Sequence, residues 1–201
     1  MIQALLFDIG RVVIDIDFDR VLAAWARASN LPTPPGPVTH DDAYKQHEVG
    51  ALSAQDYFTH LRHTLQLQCD DAAVRDGWNS VFVRPIPDTV DLIRAARERL
   101  PCYAFSNTNA THLAEMWRAF PEVLALFRTV FTSHEIARRK PDTEAFRHVL
   151  EAMQLAAPAT FSARSSKNST SGARACGMQA VLVRSPGDVR AALLEHGIVA
   201  P

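Results

Sequence analysis

The 201-residue chain carries 21 Lys and Arg against 22 Asp and Glu, and 47 % of it is hydrophobic. A formal charge of −1 offers no basic face to a nucleic acid or other polyanion, and no run approaches the roughly 18–20 apolar residues of a membrane span. Cys69, Cys102 and Cys176 are odd in number and far apart, which fits a reduced, cytoplasmic protein without disulfides or zinc.

Met1 to Phe7 reads as a buried parallel strand closed by Asp8, with no basic leader or cleavage site before it, so no export signal is expected. Ligands of open α/β sheets bind at such strand tips, and a carboxylate there can attack phosphorus or carbon. Taken alone, Asp8 reads more readily as a turn acid or helix cap. A glycine turn at Gly10 and a second alternating stretch, Val12 to Asp17, follow. From Phe18 to about Arg84 the pattern turns helical. Val21, Leu22, Trp25 and Ala28 share a face, Leu31 to Pro37 is a proline-rich loop, and Asp41 to Val49 is a short helix stopped at Gly50. Ser53 caps a helix with Tyr57, Phe58 and Leu61 inward, and Asp70 or Asp71 caps another with Val74, Trp78 and Val81.

Pro87 to Leu100 reads as a helix, Tyr103 to Ser106 as a strand, His112 to Phe120 as a helix and Thr129 to Thr132 as a strand. Thr143 to Met153 is a helix, Gln179 to Val183 a strand and Pro186 to His196 a final helix. This alternation predicts an α/β fold: a Rossmann-like, three-layer core with a parallel sheet over 1–17 and 85–201, and an all-helical cap over 18–84 inserted after the first strand. Trp25, Trp78 and Trp117 are expected in packing, and His60 and His63 on a solvated helix face.

The order Asp8, then Ser106-Asn107-Thr108-Asn109, then Lys140-Pro141 resembles the haloacid dehalogenase-like superfamily of hydrolases over nearly the whole chain. The opening Phe7 to Phe18 is most similar to its small sugar-phosphate phosphatases, such as glucose-1-phosphate phosphatases. The resemblance implies that Asp8 attacks the phosphorus of a small phosphorylated metabolite while Lys140 balances charge. Ser106, Asn107, Gly10 and Arg11 would hold the phosphate, and Asp8 with the Gly10 carbonyl would bind Mg²⁺. In the family the cap sets substrate choice, which makes Tyr44, His47 and Glu48 candidate contacts. Many members carry an acid two residues after the nucleophile; Gly10 has none to offer, leaving Asp15 or Asp17 as substitutes.

The chain departs from the family's fourth motif, a buried strand ending in two metal-binding acids. Thr160 to Ala173 contains no Asp or Glu, although Phe161 and Gly172-Ala173 fit. Matching backward from Gly172 puts Arg164 and Ser165 where the acids belong, and the strand near 159–163 is the poorest of the set. The serine-rich window 162–171 is read as a functional change or as a local reading-frame artefact. An intact mass equal to that of these 201 residues excludes the artefact. Two further readings follow from the departure: a metal-independent or non-catalytic phosphate binder that uses Arg164, and a 2-haloacid dehalogenase, which needs no metal.

Overall fold

The computed structural model describes residues 1–32 and 36–200. Thr33, Pro34 and Pro35 of the expected proline-rich loop lie outside the described residues. In chain order the elements are β1 (Ala4–Phe7), β2 (Ile14–Ile16), α1 (Phe18–Ala28), α2 (Asp42–Glu48), α3 (Ala54–Leu65), α4 (Asp71–Asn79), β3 (Phe82–Pro85) and α5 (Pro87–Arg97). They continue with β4 (Cys102–Ser106), α6 (Ala110–Ala119), α7 (Pro121–Leu124), β5 (Val130–Thr132), α8 (Ser133–Ile136), α9 (Thr143–Met153), β6 (Thr160–Arg164), α10 (Lys167–Ala175), β7 (Gln179–Leu182) and α11 (Pro186–Glu195).

Five parallel strands form the central sheet in the order β5-β4-β1-β6-β7. Strand periodicity explains its layers, since successive side chains point to opposite faces. Leu5 and Phe7 enter one apolar layer with Val90 and Ile93 of α5 and Val189 and Leu193 of α11. Ala4 and Leu6 enter the other with Phe146 and Val149 of α9 and Ala173 of α10. The expected three-layer, Rossmann-like architecture is therefore present. The chain leaves β1 toward β4 and β5 and returns on the other side as β6, so the tip of β1 lies at the topological switch point, where such sheets bind ligands.

One expectation of the helix and strand layout needs correction. The stretch after Phe18 is not helical throughout: Phe82–Pro85 is a strand that pairs antiparallel with β2. Its alternating Phe82 and Arg84 carried a period of two that the neighbouring helices masked. β6 does form, despite its Thr, Ser and Ala content, because β1 and β7 supply a ladder on both edges and all five residues are buried. Tertiary pairing here overrides propensity.

Between β2 and β3, α1, α3 and α4 pack around Trp25 and Trp78, whose rings stack 6.1 Å apart and 3° from parallel. The Trp25 Nε1–H donates to the Val74 carbonyl at 2.9 Å. Trp117, expected in packing, is instead 44 % exposed, because α6 turns Met116 inward and leaves its neighbour outside.

Gly172 of α10 permits a close approach. A Cβ there would lie 2.2 Å from the Pro141 carbonyl oxygen and 3.0 Å from Phe146 Cε2. Gly172→Ala is expected to destabilise the fold by about 1–3 kcal/mol through overpacking. A urea midpoint equal to that of the parent chain would contradict this contact.

Candidate active site

The register of the sheet sets the site. Phe7 lies opposite Ala104 of β4 and Ala163 of β6, and the Asp8 N–H donates to the Ala163 carbonyl at 2.9 Å. Asp8 follows Phe7 by one residue, and Ser106 and Ser165 follow Ala104 and Ala163 by two, so all three emerge at the C-terminal edge of the sheet. Lys140 arrives from the loop between α8 and α9. Its Nζ lies 2.5 Å from Asp8 Oδ1 and donates to the Phe105 carbonyl at 2.6 Å. Ser165 Oγ donates to Asp8 Oδ2 at 2.8 Å. The expected residues Asp8, Gly10, Arg11, Ser106, Asn107 and Lys140 all line one cavity of about 290 Å³.

Each of these residues has a distinct setting. Ser106 is buried with only a long 3.4 Å contact from its hydroxyl to the Asn107 carbonyl, so the hydroxyl is available to a ligand. Asn107 was expected on the phosphate, yet its amide is committed elsewhere. Nδ2–H donates to the Lys140 carbonyl and Oδ1 accepts from the Lys140 N–H, both at 2.9 Å. Its side chain is therefore a clamp on the lysine backbone. Arg11 holds a left-handed φ of 62° just after Gly10 and lies exposed at the cavity mouth.

The opposite wall comes from the helices between β2 and β3. Tyr44 and Glu48 line the cavity, and so does His40. His47 does not: it stacks on Tyr57 at 4.4 Å, with Nδ1 3.0 Å from the Leu52 carbonyl. Arg139 Nε–H donates to Glu48 Oε2 at 2.8 Å, and Ser133 Oγ–H donates to the Glu48 carbonyl at 2.5 Å. Asp15 and Asp17 are also away from Asp8. Asp17 caps α1 through the Asp19 N–H, while Asp15 faces a separate cavity with Arg84. His60 Nε2 lies 2.9 Å from Asp41 Oδ2 at a part-exposed surface.

Sequence reading missed Asn109, His112, Ser166 and Ser169, which also line the cavity. Asn109 had a visible signal as a cap residue before a helix, and its Oδ1 accepts from the His112 N–H at 2.9 Å. Burial drives the His112 pKa down to about 3, so its ring is neutral, and Nε2 sits 3.1 Å from the Trp78 carbonyl.

The electrostatics centre on three charges. Burial alone would raise the Asp8 carboxyl, but the Lys140 and Arg164 charges and the Lys140 and Ser165 hydrogen bonds outweigh it and hold its pKa below the usual value. Burial pushes Lys140 down to about 8, with Asp8 opposing and Arg164 adding to the shift. Arg164 is fully buried beneath the site. Nε–H donates to Ser162 Oγ at 2.6 Å, Nη1–H to the Phe105 carbonyl at 3.2 Å and Nη2–H to the Leu6 carbonyl at 3.3 Å. The guanidinium also lies 5.4 Å from the centre of the Phe146 ring.

Magnesium, expected on Asp8 and the Gly10 carbonyl, does not fit these residues. The ion asks for hard anionic oxygens. The two oxygens of Asp8 are engaged by Lys140 and Ser165, and Glu48, the other carboxylate on the cavity wall among the described residues, is paired with Arg139. Among the described residues no group of three or more His, Cys, Asp or Glu is placed to hold a metal. Arg164 closes β6 and Ser165 follows it, while Asn168 is exposed on α10.

Known proteins agree with the fold. The chain is 23 % identical over 155 residues to D-ribitol-5-phosphate phosphatase of Bacteroides thetaiotaomicron, covering 73 % of this chain and 74 % of that one. A HAD family enzyme of the same organism, crystallised with magnesium and inorganic phosphate, superposes with a TM-score of 0.79 at 24 % identity, covering 92 % of this chain and 95 % of that one. An L-2-haloacid dehalogenase of Xanthobacter autotrophicus with chloropropionic acid covalently bound gives 0.66 at 18 % identity, covering 100 % and 85 %. The family model for haloacid dehalogenase-like hydrolases matches residues 2–161, ending just before the serine-rich window, and the chain belongs to that family of hydrolases.

Proposed function

We propose that the chain hydrolyses the phosphomonoester of a small sugar or polyol phosphate through an aspartyl-phosphate at Asp8. The observation that carries this reading is the Asp8–Lys140 pair at the β1 tip, opening onto a cavity of small-metabolite size walled by polar cap residues. An Asp8 carboxylate oxygen bonds to phosphorus as the bond to the ester oxygen breaks, and the departing alkoxide takes a proton from water. A second water then attacks phosphorus, releasing phosphate and restoring the carboxylate. Lys140 and the Ser106 hydroxyl face the oxygens on which charge develops. His40, Tyr44 and Glu48 are placed to meet the sugar. The phosphatase name of the curated relative supports the substrate class.

A panel of pentitol, pentose and hexose phosphates, assayed for released phosphate, tests the reading. Turnover of at least one member that is lost in Asp8→Asn is expected. Phosphate binding without turnover of any ester would make the protein a binder. Chloride release from 2-chloropropionate alone would move it to the dehalogenases.

A further inference from the structure

We infer that this site takes up a phosphate dianion without a divalent cation, the buried Arg164 guanidinium beneath Asp8 supplying the positive charge that a metal ion would bring. The inference rests on the phosphatase reading of the Asp8 cavity and deepens it.

The first support is a charge count. Asp8 contributes −1, Lys140 +1 and Arg164 +1, so the buried cluster sums to +1 before any ligand arrives. The neighbouring Glu48 and Arg139 pair with one another and cancel. An Asp8–Lys140 pair alone would be neutral and would present its carboxylate to an incoming anion. Arg164 tips that balance.

The second support is how Arg164 is held. Its partners are two main-chain carbonyls and a serine hydroxyl, all neutral, so no carboxylate of its own quenches it. A buried cation satisfied only by neutral acceptors keeps its long-range field, and a visiting anion is its natural counter-charge. The three bonds also tie β1, β4 and β6 together directly below the nucleophile. Arg164 is absent from the cavity wall, so it acts on the ligand through its field and through Asp8 as a positioning residue.

The third support is Ser165. Its hydroxyl holds Asp8 Oδ2, the oxygen left free by Lys140, and so fixes the carboxylate where a metal would otherwise do so. One strand end, β6, thus carries both replacements: a charge below and a donor at the tip.

Calorimetric titration of inorganic phosphate into the full chain tests this, first in EDTA and then in excess Mg²⁺. Phosphate is expected to bind in EDTA, with magnesium changing Kd by less than about twofold. Arg164→Met, which keeps length and loses charge, is expected to weaken binding about tenfold or more, and Arg164→Lys to recover part of it. Binding that requires magnesium overturns the inference and leaves the phosphatase reading intact. Equal binding by a folded Arg164→Met also overturns it. Phosphate bound in EDTA with no ester hydrolysed supports the inference and removes the hydrolase reading. No binding in either condition overturns it. If Arg164→Met fails to fold, the comparison on the unaltered chain decides alone.

Discussion

Asp8→Asn is expected to lower kcat by about 10⁴-fold or more, because an amide is no nucleophile toward phosphorus at neutral pH. The same substitution reports on stability. Asp8 is buried against Lys140, and removing its charge leaves that buried ammonium without its carboxylate, at a cost of about 3–5 kcal/mol. The sign with pH follows from the lowered carboxyl. Its folded pKa lies below the ordinary carboxyl value of 3.8, so the stabilisation is present above 3.8 and is lost as pH falls through the folded value. Asp8→Asn should therefore flatten the acid limb of the unfolding curve while lowering the plateau. Turnover within tenfold of the parent chain would show that another group attacks.

Lys140→Met is expected to cut kcat/KM by about 10²–10³-fold, the size of losing one charged donor at a developing oxyanion. Its titration gives a second signature. With a folded pKa of about 8, mainly from burial, Lys140 loses its charge above that pH, and kcat/KM should fall on an alkaline limb there. Stability should move the other way. Between about 8 and the ordinary lysine value of 10.5 the unfolded chain holds the extra proton, so this group's contribution rises with pH. Falling activity with rising stability over that window separates loss of the lysine charge from unfolding. Lys140→Arg should carry the limb out of the measurable range. A flat kcat/KM profile to pH 9.5 would remove Lys140 from the chemistry.

How much of this was readable from residues alone differs from one feature to the next. The run Ala4 to Phe7 declared the strand, because a buried apolar run has few alternatives, whereas Asp8 alone left its role open between a turn acid and a nucleophile. Ser106 and Lys140 were legible through their order along the chain. Phe82–Pro85 was hidden, since four residues between two helices carry too little periodicity to stand out. The Asn107 clamp was invisible because its partner, the Lys140 backbone, lies 33 residues away. Thr160–Arg164 broke the local rules of a strand, and it took the flanking β1 and β7 to show that the rules are overridden. Arg164 reads in sequence as a residue near the site that could contact a phosphate, and only the fold shows it fully buried and off the cavity wall.

Arg139 and Lys140 are consecutive yet answer to opposite sides of the cavity, one gripping Glu48 of α2 and the other Asp8. The peptide between them is anchored by Asn107, leaving little slack. An outward swing of α2 has either to rupture the Arg139–Glu48 contact or to drag on the very segment that carries the charge partner of Asp8. Glu48 and Asp8, on opposite walls of one cavity, are thereby tied through two neighbouring side chains and a single anchored peptide.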